Sequence, residues 1–203
     1  MAAHGIATQR KQGLSNGMLG FILFIASEVM FFGGLFAAYF IARADAAEWP
    51  PEYLLTPEQV AAGVKLEVEF ALPLIATIVL VLSSVTIQLG VWSIQKGDRT
   101  ALVRWLIVSV VLGLVFLTAQ LYDYSQLPFR ADDTVYGTTF YTLTGFHGAH
   151  VAGGVIFMMV VLARSMAGQF SAARHEAVEA CSFYWHFVDV VWIALFTVLY
   201  IVK

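Results

Sequence analysis

Cysteine is almost absent from this chain: Cys181 is the only one in 203 residues. A single thiol cannot form an internal disulfide and lacks the second thiol of a CxxC metal or redox site. We therefore expect Cys181 to be a small buried residue. Charged residues are also scarce, at 12%, and the net charge is -3 with no dense basic cluster. This excludes a nucleic-acid partner, because such binding requires many phosphates to be neutralised.

Apolar residues dominate what is present. Hydrophobic side chains make up 60% of the chain and include 16 Phe and 5 Trp, which is too much for one soluble core of this size to hide. A helix needs roughly 20 apolar residues to cross the hydrocarbon part of a bilayer. Five stretches are long and apolar enough: about 17–41, 70–94, 101–122, 138–165 and 177–202. The sequence therefore predicts an all-α integral membrane protein, a bundle of five transmembrane helices.

The predicted domain organisation is simple. Residues 1–16 form a polar N-terminal segment, and residues 17–203 form a single five-helix membrane domain. The apolar run after residue 16 is too long for a signal-peptide core and has no clear cleavage site, so the first span is expected to be retained.

Lysine and arginine remain preferentially in the cytoplasm. Of the 11, seven lie on the side of the N-terminus and four on the other, which predicts a cytoplasmic N-terminus and an external C-terminus.

Ionisable residues stand inside three of the predicted spans, where a charge that faces lipid costs several kcal/mol. They are Glu28 in the first span, His147 and His150 in the fourth, and His186 and Asp189 in the fifth. At about 1.5 Å per residue, Glu28, His150 and Asp189 fall near the same depth. Residues three apart share a helix face. The five side chains are therefore predicted to form one buried polar network.

Small residues accompany this network. Glycine lets neighbouring helices approach closely in a membrane. The predicted helix-packing glycines are Gly33, Gly34, Gly148, Gly153 and Gly154.

Three chemical interpretations of the network are open. A metal site could use histidine and carboxylate ligands, although the Glu-x-x-His pattern of helical-bundle metal sites is missing from these spans. A b-type haem could bridge His150 and His186, although nothing in the sequence reserves a cavity for it. The third is a hydrogen-bonded network that is structural or that also exchanges protons. Composition and spacing favour the third, and they predict no catalytic residue and no metal ligand.

Three stretches carry a family resemblance, and they occur in the expected order. "SEVMFFGGLFAAYF", "TGFHGAHVAGG" and "YWHFVDVVWIALF" together resemble subunit III of the haem-copper oxidases, and "FLTAQLYDYSQL" looks like that family's equivalent helix. The resemblance runs from about Leu19 to the C-terminus. It implies the short five-helix form, as in bacterial cytochrome c oxidase subunit III, which lacks the first two spans of the long form.

The resemblance also implies roles for single residues. Glu28 corresponds to the family's buried membrane carboxylate, with His150 or His147 as its partner, and His186 and Asp189 belong to the buried polar set of the last helix. The chain is expected to bind no redox cofactor itself, while haem and copper belong to partner subunits. The expected partners are oxidase subunits I and II and phospholipids, with a larger respiratory supercomplex as an option. The expected location is the bacterial plasma membrane, as a multi-pass protein.

The function that this resemblance implies is accessory. The chain would support assembly, lipid binding and sustained proton uptake by the catalytic subunit of a proton-pumping oxidase during oxygen reduction by cytochrome c. Whether the isolated chain has any enzymatic activity is open. The SEVMFF and GFHGAHV stretches favour the cytochrome c branch, and subunit III of a quinol oxidase is the alternative. From a different class, a proton-coupled membrane transporter could use the same residues, although no repeated halves with broken helices are visible.

Overall fold

The computed structural model describes residues 15–51 and 70–202, and within these ranges it contains five long α-helices and no strand. The helices are α1 Asn16–Asp45, α2 Ala71–Gln95, α3 Arg99–Gln126, α4 Val135–Met166 and α5 Glu176–Phe196, which continues as a π-helix over Thr197–Ile201. All five are long and apolar enough to cross a membrane. The prediction of an all-α protein with five membrane helices is confirmed. The predicted N-terminal segment lies almost entirely outside the described residues.

Local signals mark where the helices begin and end. The side chains of Ser15, Asp98 and Thr134 each accept a hydrogen bond from the backbone amide three residues later, at 2.9 to 3.1 Å. These caps satisfy amides that the first helical turn leaves without a partner. Gly97, between α2 and α3, has φ 82°, and Gly168, just after α4, has φ 76°. Glycine adopts these left-handed conformations at low cost, so it is favoured just after the last turn of a helix.

Helices α2 to α5 form a four-helix bundle. Helix α2 packs against α3 and α5, and α4 packs against the same two helices. Large rings fill the space between them: Phe116 from α3, Phe140 from α4, and Trp185 and Trp192 from α5 are all buried. The outer faces of the helices carry many exposed aliphatic side chains, which fits a lipid environment.

Helix α1 lies outside this bundle, against α4 and α5. Only Phe32 and Tyr39 of its residues are buried. The Phe32 ring centroid lies 4.9 Å from that of His150 and 6.1 Å from that of Phe187. The Tyr39 hydroxyl accepts a hydrogen bond from Trp49 Nε1 at 2.9 Å. Helix α1 therefore depends on few contacts for its position.

The predicted packing glycines differ in their surroundings. A Cβ atom on Gly154 would lie 2.7 Å from the Trp185 ring, and one on Gly153 would lie 3.4 Å from the Tyr184 hydroxyl. These two glycines allow aromatic rings of α5 to approach α4. Within the described residues, nothing lies within 4 Å of a Cβ at the other three predicted positions, which are Gly33, Gly34 and Gly148. For those three, the described residues supply no close neighbour, and close packing there stays a prediction.

Candidate functional site

The first polar contact in the membrane region joins α1 to α4. His150 Nε2 lies 2.9 Å from Glu28 Oε2, and His150 Nδ1 lies 2.7 Å from the Phe146 carbonyl oxygen. A carbonyl oxygen only accepts hydrogen bonds, so Nδ1 carries a proton. One further proton is then shared between Nε2 and the Glu28 carboxylate. The pair is neutral as a whole whichever atom holds that proton, which lowers the cost of placing it in a membrane.

Aromatic groups shield this pair on several sides. The side chains of His150 and Glu28 are 17% and 20% exposed. The rings of Phe31 and Phe32 lie 6.1 and 4.9 Å from the His150 ring, centroid to centroid. The Tyr184 hydroxyl donates to the His150 carbonyl oxygen at 3.2 Å and so brings α5 to the same place. The Glu28–His150 pair is therefore the junction at which α1 attaches to the bundle.

The second polar contact joins α5 to α2. His186 Nδ1 lies 3.1 Å from Ser84 Oγ, and the Ser84 hydroxyl donates to Asp189 Oδ2. Because the single hydroxyl proton of Ser84 goes to Asp189, His186 Nδ1 is the donor to Ser84. Asp189 is 6% exposed, and its Oδ1 has no hydrogen-bond partner among the described residues. An imidazole and a buried carboxyl group are thus connected through one hydroxyl.

The other nitrogen of His186 faces two polar groups. Ser182 Oγ and Gln88 Oε1 each lie 3.2 Å from His186 Nε2. The hydroxyl donates to an unprotonated Nε2, and the amide oxygen accepts from a protonated Nε2. This nitrogen therefore has a hydrogen-bond partner with or without a proton.

Polar residues continue from His186 to the end of the two helices. Gln95 Nε2 donates to Glu179 Oε1 at 3.3 Å, and His175 Nε2 lies 3.1 Å from the same oxygen. A cleft of about 160 Å³ opens along this stripe, lined by Gln88, Val91, Gln95, Glu179, Ser182, Phe183 and His186. We call the cleft and its polar continuation the α2–α5 seam, which comprises Ser84, Gln88, Gln95, Glu179, Ser182, His186 and Asp189.

His147 lies apart from both contacts. It is 0% exposed, and neither ring nitrogen has a hydrogen-bond partner in the described part of the chain. Its ring stacks on Trp192 at 5.0 Å and meets Phe116 edge-on at 5.8 Å. Residues three apart on a helix differ in direction by roughly 60°. Helix α4 belongs to the bundle and also contacts α1, so this difference directs His150 to α1 and His147 to the interior of the bundle.

The predicted single network is thus divided among three places. Glu28 meets His150, His186 is connected to Asp189, and His147 packs among rings. Across residues 15–51 and 70–202, no hydrogen bond joins one place to another. The prediction of one cluster assumed that equal depth brings side chains together, whereas direction around each helix separates them.

Sequence reasoning missed the partners that α2 supplies. Ser84 and Gln88 each contact His186. Both lie in the second predicted span, about 70–94, which is predominantly apolar. The spacing of polar residues along each helix was the signal that could have identified them. On α2, polar residues four and seven positions apart are Ser84, Gln88 and Gln95. On α5, polar residues three, four and three positions apart are Glu179, Ser182, His186 and Asp189.

Comparison with known proteins decides the family. The model of the family described as cytochrome c oxidase subunit III matches residues 2–203. The chain belongs to the cytochrome c oxidase subunit III family. As a family member it is a multi-pass protein of the bacterial plasma membrane and part of an oxidase complex, in which subunit III is not the catalytic subunit.

Individual relatives match over most of their length. A probable cytochrome c oxidase subunit 3 of Mycobacterium leprae (strain TN) is 43% identical over 189 residues, which cover 91% of this chain and 87% of the relative. One of Nocardia farcinica (strain IFM 10152) is 41% identical over 203 residues, covering 97% and 94%. Cytochrome c oxidase subunit 3 of Thermostichus vulcanus is 40% identical over 185 residues, covering 91% and 86%.

The geometry of this subunit III chain bears on two interpretations that the sequence left open, a metal site and a b-type haem. Among the residues that the structure describes, no group of three or more His, Cys, Asp or Glu is placed to hold a metal ion. Both ring nitrogens of His150 and of His186 are engaged in hydrogen bonds. Neither imidazole therefore offers a free nitrogen as an axial haem ligand, which argues against a haem between them.

Replacing His147 by phenylalanine should stabilise the subunit by about 1 kcal/mol. An apolar ring keeps the contacts with Trp192 and Phe116 and removes two buried nitrogens that have no hydrogen-bond partner among the described residues. The measurement is thermal unfolding of the purified complex, read as release of this subunit. His150→Phe is the matched control and should destabilise, because it removes the partner of Glu28. Lower stability of His147→Phe than of the wild type would contradict the expectation.

Proposed function

We propose that this chain is a non-redox accessory subunit of a proton-pumping terminal oxidase. In that complex it supports assembly, phospholipid binding and sustained proton uptake by the catalytic subunit, during oxygen reduction by cytochrome c. The observation that carries the accessory role is the engagement of its intramembrane histidines: His150 with Glu28, His186 with Ser84, and His147 with the Trp192 ring. These side chains hold helices together and leave redox chemistry to partners.

The partners that we propose are oxidase subunits I and II, which hold the haem and copper. A docked position beside a catalytic subunit accounts for a chain whose own bundle is tightly packed with aromatic rings, and whose described residues include no group of His, Cys, Asp or Glu placed to hold a metal ion. A larger respiratory supercomplex is an extension of the same proposal.

The proposed orientation places the N-terminus and residues 1–16 in the cytoplasm, with residues 17–203 forming the membrane domain and the C-terminus outside. The connections after α2 and after α4 then face the cytoplasm. Lys96 and Arg174 lie in these connections, and Arg99 and Arg164 lie in the helix ends next to them, which supports this direction.

Phospholipid is proposed to cover the outer face of α1. Side chains on this face are large, apolar and strongly exposed; they include Leu23, Met30 and Ile41. Since α1 is held to the bundle mainly at the Glu28–His150 junction, ordered lipid on its other side would help to keep it in place. A fixed α1 is our proposed structural contribution to sustained proton uptake.

Affinity purification tests the proposal most directly. A tag on this chain should co-purify a larger haem-containing subunit from a mild-detergent extract, and the complex should oxidise reduced cytochrome c. The visible spectrum of the dissociated chain should contain no haem bands. A tagged chain that comes without partners, or that keeps haem when isolated, would overturn the proposal. Oxidation of quinol in place of cytochrome c would assign the complex to the quinol branch.

Oxidase stripped of this chain should begin turnover at nearly the rate of the complete enzyme and then lose activity within several-fold fewer turnovers. The physical reason is loss of the surface that supports proton uptake and of the lipid it holds. Oxygen consumption followed to complete inactivation measures the effect, and adding back the purified chain should restore the longer lifetime. Equal lifetimes with and without the chain would refute a role in sustained proton uptake.

A further inference from the structure

The α2–α5 seam places polar side chains along the surface of two membrane helices. Gln88 and His186 line the cleft, and Ser84 lies next to them. Polar side chains at membrane depth are tolerated where they meet other protein groups or line a water-filled cavity, because lipid offers no hydrogen bonds. The seam side chains satisfy part of their hydrogen-bonding capacity with one another, and the rest suits an occupant that forms hydrogen bonds.

The seam runs from the end of the helices to the middle of the membrane. Glu179 lies in the first turn of α5, and Asp189 lies ten residues further along the same helix. At about 1.5 Å per residue this is about 15 Å, half the thickness of the roughly 30 Å hydrocarbon core. On α2, Gln95 is the last residue and Ser84 lies at the level of Asp189, which it contacts. One end of the seam is thus aqueous and the other is near the bilayer centre.

The cleft has the size and chemistry for water. Its volume of about 160 Å³ exceeds what one water molecule needs, and a water is stable where it finds two to four polar partners. Gln88, Gln95, Glu179, Ser182 and His186 supply such partners along its length. Water in the cleft would reach His186 Nε2 and stop there, because Ser84 and Asp189 lie beyond the ring.

We propose that the α2–α5 seam is a water-filled access path along which a proton passes from the aqueous phase at Glu179 to the buried carboxyl group of Asp189, through His186 and Ser84. This deepens the proposed support of proton uptake by naming a proton-accepting residue within this chain. The positive-inside orientation places the open end on the cytoplasmic side.

The relay transfers one proton in total, from water to Asp189. It starts with His186 protonated at Nδ1 and Asp189 ionised. A proton from water binds Nε2, the Nδ1 proton passes to Ser84 Oγ, and the original Ser84 proton passes to Asp189 Oδ2. It ends with His186 neutral and protonated at Nε2, Ser84 restored and Asp189 neutral. The two groups that flank Nε2, Ser182 Oγ and Gln88 Oε1, solvate this nitrogen before and after the transfer.

Few charges surround this relay. The side chains that face His186 from α2, Ser84 and Gln88, are uncharged. On its own helix the acidic groups of the seam are Asp189 at the inner end and Glu179 at the open end, where His175 contacts Glu179. Helix α5 also carries Glu176, Cys181 and Tyr184, which lie outside the seam. A pH dependence of the relay would therefore arise from His186 and Asp189, with Glu179 and His175 acting at the mouth.

Thiol accessibility tests the water in the seam. Gln88→Cys places a thiol in the cleft, and Val85→Cys, on the same helix at nearly the same depth, places one on a 52% exposed outer position. Both are made with Cys181→Ala in the intact oxidase complex and treated with a charged, membrane-impermeant methanethiosulfonate. Because such reagents attack the thiolate, which forms in water, Gln88→Cys should react at least about tenfold faster than Val85→Cys. The reaction should occur only with reagent on the cytoplasmic face.

Infrared spectroscopy tests the relay itself. In the end state of the relay, in which Asp189 is neutral, the complex should show a carboxyl stretching band that disappears in Asp189→Asn and shifts in D₂O. Ser84→Ala should slow this shift at least about tenfold, because it removes the hydroxyl that conducts the proton. Ser93→Ala is the matched control: its hydroxyl donates to the Leu89 carbonyl on the same helix, and its loss should leave the exchange rate unchanged.

The thiol and infrared experiments each have results that would overturn a part of the proposal. Equal reactivity of the two thiols would overturn the water-filled path, and reaction from the external face would overturn its cytoplasmic opening. A Gln88→Cys thiol that reacts only after this subunit is dissociated would show that a partner subunit fills the seam, which also overturns it. Absence of an exchangeable Asp189 band would overturn the relay. Neither readout depends on turnover, so this inference can fail while the accessory function stands, and the reverse.

Discussion

Oxidase with Gly154→Ala in this subunit should lose about 1 to 3 kcal/mol of stability in the α4–α5 interface, the usual cost of overpacking a core. The added Cβ would lie 2.7 and 2.8 Å from two atoms of the Trp185 ring. That ring is fully buried, and its Nε1 donates to Ser83 Oγ at 2.7 Å. A Cβ on Gly113 would also lie 2.9 Å from this ring. The Trp185 ring is therefore in close contact with two glycines and has little room to shift.

The measurement is the temperature at which this subunit dissociates from the purified complex, together with the amount that remains after purification. Gly148→Ala is the matched control on the same helix, since a Cβ there would meet nothing within 4 Å among the described residues. Its dissociation temperature should equal that of the wild type. A Gly154→Ala complex as stable as the Gly148→Ala complex would show that α4 and α5 can separate at little cost.

Glu28→Ala should release α1 from the bundle and shorten the active lifetime of the oxidase. It leaves His150 Nε2 without its partner, at a cost of about 1 to 2 kcal/mol for a hydrogen bond within the membrane. Helix α1 has few other attachments, because only Phe32 and Tyr39 are buried. The initial rate should be nearly normal, while activity decays over fewer turnovers. Oxygen consumption followed to inactivation gives both numbers.

A double-mutant cycle isolates this contact. Glu28→Ala, His150→Ala and the double variant should give a coupling energy of the same size, because each single change removes the same interaction. Met30→Ala is the control on α1, since its side chain is 78% exposed and faces away from the junction. Normal lifetime and normal subunit retention in Glu28→Ala would mean that other contacts hold α1, and the proposed role of the junction would be abandoned.

These two sites explain different parts of the same subunit. Gly154, Gly113 and Trp185 allow close packing within the four-helix bundle, whereas the Glu28–His150 contact attaches the middle of a fifth helix to it, and Ser15 attaches its beginning to Glu176. A change at the first site should lower the stability of the subunit. A change at the second should lower the number of turnovers that the oxidase completes before it is inactivated. The seam between α2 and α5 belongs to neither, and it is the place where we expect water to enter.

Much of the fold could be predicted from the sequence. Five apolar stretches predicted five membrane helices, because lipid leaves a spanning backbone no hydrogen-bond partner outside its own helix. The order of three motifs predicted the family. The spacing of His186 and Asp189 predicted a shared face, and both side chains do contact Ser84. Each of these features depends on residues close together in one helix.

Tertiary structure decided which helix each side chain meets. His147 and His150 were both candidates for Glu28, and only the position of α1 beside α4 selects His150. Gly154 approaches a ring while Gly148 does not, because the path of α5 brings it near one and away from the other. Ser84 joins His186 to Asp189 although it lies more than a hundred positions earlier in the chain. Helical periodicity determines the direction in which a side chain points, but only the packing of helices determines what lies in that direction.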